Sequence, residues 1–243
     1  MANDRGILGE LRQAIERTPA IGAAFTSARR VISRRIFDPA RYWEQRYRGS
    51  GTSGPGSYGR LAEFKAEVLN AFMRDNDVLS VMEFGCGDGN QLSMSDYPSY
   101  TGLDVAPWVI EACQRRFHDD KSKNFILYEP QSYRPGATAE AVLSLDVIYH
   151  LTDDRVFNLY MEHLFAAATR FVIIYSDDVD SWGTEVHVRH RQFSKWINEH
   201  RPNWRMSKHI PNRYPAGLAD LGDQSWSDFW IFEPVRIDEK TFT

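Results

Sequence analysis

The sequence predicts an α/β fold built on a parallel sheet, and three stretches carry that expectation. A β-leaning apolar run, Val78-Leu79-Ser80-Val81-Met82, leads into Glu83-Phe84-Gly85-Cys86-Gly87-Asp88-Gly89-Asn90. Alternating glycines after such a run let a sheet turn sharply and bring bare backbone amides against a ligand. Seventeen positions after Gly87, a second run, Tyr100-Thr101-Gly102-Leu103, ends in Asp104. A carboxylate at the tip of a neighbouring strand is where such folds grip the ribose hydroxyls of a nucleoside. The third stretch, Ala141-Val142-Leu143-Ser144-Leu145, is apolar enough for a strand buried on both faces.

A glycine-rich turn by itself need hold nothing, since positive φ is reason enough for glycine. Here the spacing is G-x-G-x-G and not the G-x-G-x-x-G of dinucleotide enzymes, Glu83 opens the motif and Asp88 sits inside it. Negative charge at both places repels a pyrophosphate and suits a ligand carrying an ammonium and a sulfonium.

In these residues the chain resembles the class I S-adenosylmethionine-dependent methyltransferases, whose first motif is E/D-x-G-x-G-x-G and whose second strand ends in an acid. The likeness covers roughly residues 78 to 176. It implies a Rossmann-like methyltransferase fold with a seven-stranded, mostly parallel sheet and an antiparallel last strand. It also implies S-adenosylmethionine as cofactor, with Glu83, Gly85, Cys86, Gly87, Asp88, Gly89 and Asp104 in its site.

With 243 residues and 42% hydrophobic content, the chain can bury one full core. We read residues 1–77 as a helical N-terminal cap with a Gly-rich lid loop and 78–243 as the methyltransferase domain. Twenty-nine Lys and Arg against 33 Asp and Glu give a net charge of −4, so there is no general basic field and a nucleic-acid partner is disfavoured. Cys86 and Cys113 are too few for a disulfide framework and read as free thiols in a reducing compartment. No stretch approaches the ~18 apolar residues of a membrane span, and Met1 to Gly6 lack a signal-peptide layout, so the expectation is a cytoplasmic protein.

Residues 1–37 carry seven arginines and three acids. Leu8, Leu11 and Ile15, then Phe25, Val31, Ile32 and Ile36, suit two amphipathic helices broken at Thr18-Pro19. Their basic face is a solvated cap, an oligomer contact, or a membrane-surface contact. Asp38-Pro39 is a cap-and-first-turn signal for a short helix through Tyr47. Gly49 to Gly59 is too rich in glycine to pack a core and is linker, lid or ligand loop; flanking aromatics and arginines favour a lid. From Trp43 to Lys65 the pattern W-x-x-R-Y followed by S-G-x-G-S-x-G-x-L-A-x-F-K resembles methyltransferases of bacterial surface-polysaccharide biosynthesis. That implies a place in the cofactor site, where Arg60 is either the partner of the methionine carboxylate or a solvated residue at a helix start. Leu61, Phe64, Val68, Leu69 and Phe72 form an apolar helical stripe that reads as core.

After the glycines, Gln91 to Met94 begins a helix that Tyr97-Pro98 ends early. Pro107 opens the next helix, with Trp108, Ile110 and Cys113 on its apolar side; Val105 and Trp108 flank the adenine or belong to the core. Phe125 to Tyr128 reads as the third strand, and Glu129 beyond it either accepts from the adenine amine or is a turn carboxylate. Leu145 and Asp146 end the fourth strand at the crevice mouth. Asp146-Val147-Ile148-Tyr149-His150-Leu151 resembles the fourth methyltransferase motif, D-x-x-x-H-L, which faces the reacting methyl. Asp153 and Asp154 cap the next helix, Phe171 to Tyr175 is the fifth strand, and Phe193, Trp196 and Ile197 mark a later helix. Trp204 to Ile210 and Ser227 to Phe232 are the final strands, with turn-rich Pro211 to Ser225 between them available to cover a substrate.

Transfer of a methyl to a hydroxyl needs a base. His150 is the first candidate and His187 and His190 the second, each with a structural role as the alternative; Arg189 or Arg191 is placed to hold an acceptor's phosphate or carboxylate. A variant with Mg²⁺ on Asp146 and Asp177 or Asp178 is the minor reading. The resemblance implies an O-methyltransferase acting on a sugar or glycan precursor of a bacterial surface polysaccharide. The rivals are a non-catalytic cofactor-binding subunit of a glycan assembly complex and a small-molecule methyltransferase outside glycan metabolism; the glycine spacing argues against a nicotinamide oxidoreductase.

Overall fold

The computed structural model describes residues 37–217 and 223–235. The two arginine-bearing helices expected before residue 37, and the contacts proposed for them, lie outside the described residues, as do positions 218–222 of the turn-rich segment.

The strands are β1 (Val81–Phe84), β2 (Tyr100–Asp104), β3 (Lys123–Leu127), β4 (Ala139–Leu145), β5 (Ala168–Ser176), a small hairpin of β6 (Ser181–Trp182) and β7 (Arg189–His190), β8 (Trp204–Ile210) and β9 (Asp228–Pro234). Seven of them form one sheet in the order β3-β2-β1-β4-β5-β9-β8. β1 to β5 pair in parallel, and β9 runs antiparallel between β5 and β8. This is the mostly parallel sheet with an antiparallel last strand that the sequence resemblance implies.

Among the described residues five α-helices accompany it: α1 (Pro39–Arg48), α2 (Gly59–Asp75), α3 (Pro107–Arg116), α4 (Asp154–Ala166) and α5 (Phe193–His200). Their starts follow the sequence. The Asp38 carboxylate accepts from the Arg41 amide ahead of Pro39, and Asp153 accepts from the amides of Arg155 and Val156. Alternation along the strands divides the core. Val81, Leu143, Ile173 and Tyr175 pack with Phe64, Leu69 and Met73 of α2 and Ile110 of α3. Met82, Phe84, Val142, Val172 and Ile174 pack on the other face against Tyr160, Met161 and Leu164 of α4 and Phe193 and Trp196 of α5.

The helix expected after the glycine loop is only a 3₁₀ turn, Leu92–Met94. Ser93 Oγ donates to the Asn90 carbonyl and Ser95 Oγ to that of Gln91, so side chains take acceptors a helix would use, and Pro98 closes off extension. α2 covers that part of the sheet instead. The β6–β7 hairpin went unanticipated because two-residue strands leave no readable period. Among the described residues no helix is long and apolar enough to cross a membrane.

Gly85, at the end of β1, has φ +87°, and a Cβ there would lie 2.4 Å from Val147 Cγ2. Gly85→Ala is therefore expected to destabilise the fold by about 2 kcal/mol or more, read as a lowered urea midpoint with an unchanged m-value.

Candidate functional site

The C-terminal ends of β1, β2 and β4 open into a cleft of about 350 Å³, within the size range of small-molecule sites. Its floor is the glycine loop. Gly85 and Cys86 both donate to the Leu103 carbonyl, at 2.7 and 2.9 Å, fixing the loop against β2. Asp104, 6% exposed, accepts from the amides of Gly87 and Ala106 at 3.0 Å each. Burial pushes its carboxyl up to about 6 despite those two bonds. Glu83 is likewise buried, accepts from Tyr100 Oη at 2.6 Å, and is raised to about 7 by burial.

The Gly-rich segment after α1 closes over this floor as a lid. Ser53 and Asp88 bond reciprocally: Ser53 N donates to Asp88 Oδ2 at 2.8 Å, and Asp88 N donates to Ser53 Oγ at 2.9 Å. Tyr58 Oη reaches the same carboxylate at 2.9 Å, and Asn90 Nδ2 donates to the Ser57 carbonyl at 2.8 Å. Asp88 thus anchors the lid, a use its position in the motif did not indicate. A Cβ on Gly87 would fall 2.3 Å from Ser53 Oγ, so the lid packs directly on bare backbone.

The wall beyond β4 centres on Asp146. Its backbone holds φ +59°, uncommon for a residue with a side chain. Lys65 Nζ, on an α2 side chain only 1% exposed, bonds Asp146 Oδ2 at 2.7 Å; Tyr149 Oη and Ser227 Oγ each donate to Oδ1 at 3.1 Å. His150 follows one 3₁₀ turn later. Its Nδ1 lies 3.0 Å from the His187 carbonyl, an acceptor, so Nδ1 carries the proton and Nε2 keeps its lone pair. Burial lowers the ring to about 4, keeping it neutral.

Of the residues expected at the cofactor, Glu83, Gly85, Cys86, Gly87, Asp88, Asp104, Val105, Leu145 and Asp146 line the cleft, as does His150. The others stand elsewhere. Arg60 donates to the Asp223 carbonyl at 2.8 Å and lies 4.3 Å over the Tyr214 ring, because its position on α2 faces the loop before β9. Glu129 accepts from Ser132 Oγ, the turn-carboxylate alternative, while its neighbours Tyr128, Pro130 and Gln131 reach the cleft. A Cβ at Gly89 would strike the Phe117 ring at 2.8 Å, so that glycine serves packing on the end of α3. His187 stacks on Tyr42 and backs His150. His190 pairs through Nδ1 with Asp177 Oδ2 at 2.5 Å, behind Tyr149 and outside the cleft. Arg189 and Arg191 converge on Asp154 and are spent on the N-terminus of α4. Each of the three acids of the Mg²⁺ variant is engaged elsewhere: Asp146 pairs with Lys65, Asp177 with His190, and Asp178 caps α5 through the Ser194 amide. Among the described residues no group of three or more His, Cys, Asp or Glu is arranged to hold a metal ion.

Lys65, Tyr47, Ser53, Gln91 and Tyr160 also line the cleft and were not singled out from the sequence. Lys65 left a signal, as the one charge inside the apolar stripe of α2. Tyr47 left none beyond its place in the W-x-x-R-Y pattern.

Comparison with solved structures places this architecture among methyltransferases. The N-methyltransferase NodS from Bradyrhizobium japonicum WM9, in complex with S-adenosyl-L-homocysteine, superposes with TM-score 0.62 at 11% identity, over 82% of this chain and 100% of that one. Magnesium protoporphyrin IX methyltransferase from Synechocystis PCC 6803 gives TM-score 0.59 at 13% identity, over 81% and 98%. The methyltransferase domain of a bacterial Hen1 gives 0.56 at 20% identity, over 72% and 100%. The chain has the Rossmann-like methyltransferase fold. In sequence, 80 residues are 34% identical to mouse (Mus musculus) EEF1A lysine methyltransferase 4, a match spanning 31% of this chain and 30% of that relative. No protein-family model matches.

Because the Glu83 carboxyl is raised from 4.5 to about 7, the folded state binds its proton more tightly than the unfolded state does. Wild-type stability relative to Glu83→Gln is thus expected to fall as pH rises from about 4.5 through 7, by on the order of 3 kcal/mol in all. Paired urea titrations of the two proteins at pH 5 and pH 8 measure it.

Proposed function

We propose that the chain is an S-adenosylmethionine-dependent methyltransferase, and that its acceptor is a hydroxyl of a sugar or glycan precursor of a bacterial surface polysaccharide. One observation carries the first part: a cleft at the tips of β1, β2 and β4 whose buried acids, Glu83 and Asp104, flank a bare glycine loop. These residues fit the cofactor. Asp104 presents a carboxylate to ribose hydroxyls, Val105 and Tyr128 offer apolar contact to a base, and the acidic floor favours a cation. The structural neighbours include proteins crystallised with S-adenosyl-L-homocysteine or S-adenosylmethionine, which supports the same choice.

The cofactor, when bound, supplies an electrophilic methyl group. This chain's own residues do the rest. The lid held by Asp88 excludes water over the glycine loop. His150 offers an unprotonated Nε2 at the cleft wall, where it takes the proton of an acceptor hydroxyl, and the His187 carbonyl holds the ring in that tautomer. The glycan reading rests on the Trp43 to Lys65 resemblance. The neighbours named for porphyrin, small RNA and N-methylation are separate acceptor classes on one fold and do not choose among them.

Calorimetry with S-adenosyl-L-homocysteine tests the first part. Wild type is expected to bind and Asp104→Ala to bind at least about tenfold more weakly; equal binding by both overturns the placement of the nucleoside. For the second part, product S-adenosyl-L-homocysteine is measured over a panel of sugar nucleotides and glycosides. His150→Gln is expected to cut turnover by about 10² to 10⁴ while retaining cofactor binding. Because His150 titrates near 4, wild-type turnover loses nothing to its protonation between pH 8 and pH 5.5 and falls only as pH drops through about 4.

A further inference from the structure

His150 is held among rings that come from two other parts of the chain. His187, in the connection between β6 and β7, lies nearly parallel to it, with centroids 5.5 Å and planes 18° apart. Tyr42 of α1 stacks on His187 in turn, at 4.7 Å and 21°. Trp43, the next residue of α1, meets Tyr42 at 5.4 Å and His150 at 5.0 Å, edge-on in both cases. The four rings make a closed circuit of stacked and edge-to-face contacts, the arrangements aromatic rings prefer.

Their roles differ. Trp43 and His150 line the cleft, whereas Tyr42 and His187 stand outside it. α1 has a seat that does not depend on Tyr42: Tyr47 packs with Ala106 and Val109, and the Glu44 carboxylate accepts from the Trp108 amide at 3.0 Å, in the first turn of α3. The Tyr42 ring is spent on Trp43, Phe37 and His187. His187 is also the residue whose carbonyl, 3.0 Å from His150 Nδ1, fixes the proton on that nitrogen.

We infer that Tyr42 is a positioning residue for the methyl transfer: by stacking on His187 it keeps that residue's carbonyl on His150 Nδ1 and so keeps Nε2 free for an acceptor's proton. The inference rests on the reading of His150 as the base. It gives α1 a part in the chemistry beyond covering the cleft.

The groups facing His150 set the sign of the expected change. Burial is the largest influence and lowers the ring to about 4; His187 and Arg46 lower it further, while the bond to the His187 carbonyl and the Asp146 charge raise it. Tyr149, its ring 4.6 Å away, is raised by burial and keeps its own proton. Opening the circuit removes burial and the carbonyl bond together. Burial is the larger of the two, so the midpoint moves up towards the ordinary 6.5.

Ring ¹⁵N–¹H correlation spectra report which His150 nitrogen carries the proton and the pH at which the other takes one, with signals assigned by their loss in His150→Gln. Wild type and Tyr42→Phe, which keeps the ring, are expected to show the Nδ1–H form alone and a midpoint near 4. Tyr42→Ala and Tyr42→Leu should show both tautomers and a midpoint of about 5 or above. By calorimetry both should bind S-adenosyl-L-homocysteine within about twofold of wild type. Unchanged His150 signals in these two variants overturn the inference, as does a change in Tyr42→Phe as large as in Tyr42→Ala. So does failure of both to fold, or a loss of binding of about tenfold or more, since Tyr42 would then support the cap at large. None of these measurements uses an acceptor. If the spectra behave as expected and His150→Gln turns over at the wild-type rate, Tyr42's hold on the ring stands and the reading of His150 as the base falls.

Discussion

The ion pair between Lys65 and Asp146 is the constraint on which the site depends. A lysine this buried is tolerable only beside a carboxylate, and Asp146 supplies one at 2.7 Å. The bond joins α2 to the tip of β4, at a residue whose backbone is held in the left-handed region. Ser227 and Tyr149 bind the other carboxylate oxygen, so the approach to β9 and the turn carrying His150 are tied to the same point. Removing either charge would leave its partner buried and unpaired, a loss of about 3–5 kcal/mol in comparable pairs. Three segments far apart in the chain thereby take their positions around one side chain, and the cleft is the space they leave.

Electrostatics within the cleft follow from that arrangement. Glu83 and Asp104 are both raised by burial, and Lys65 is the lining ammonium that offsets part of the cost at Glu83. The floor is therefore primed for a cationic ligand, whose charge would restore the ionised form of the acids by ordinary Coulomb attraction. His150 has the opposite problem. Half-buried and neighboured by His187, it stays neutral and presents its free nitrogen without needing to lose a proton first.

Much of the sheet was legible because strands ending in glycine or aspartate carry their own punctuation. β2, β4 and β5 stand where their apolar runs are, and Asp38 and Asp153 mark helix starts by side chains that bond the first free amides. Side-chain partners were harder to read. Arg60 looks like a carboxylate binder in sequence, yet on α2 it is turned to the loop before β9, while Lys65, about 1.4 turns on, lines the cleft, and only the rotation of α2 on the sheet sets which of the two faces it. Glu129 is hard to read for a related reason, since a turn that bonds its own carboxylate looks the same in sequence as one that offers it. Asp88 was recognised as part of the loop, but its use as the lid's anchor depends on Ser53 and Tyr58, 35 and 30 positions away.

The shortened connection between β1 and β2 has a bearing on the chain's history. With a single 3₁₀ turn there, one flank of the sheet is roofed by a helix drawn from before the first strand. The part of the sheet that carries the glycine loop shares its core with the helix before residue 78: Phe64, Leu69 and Met73 lie in that core, and Lys65 lines the cleft. Recombination could carry this fold to a new partner only by moving the preceding helix along with it.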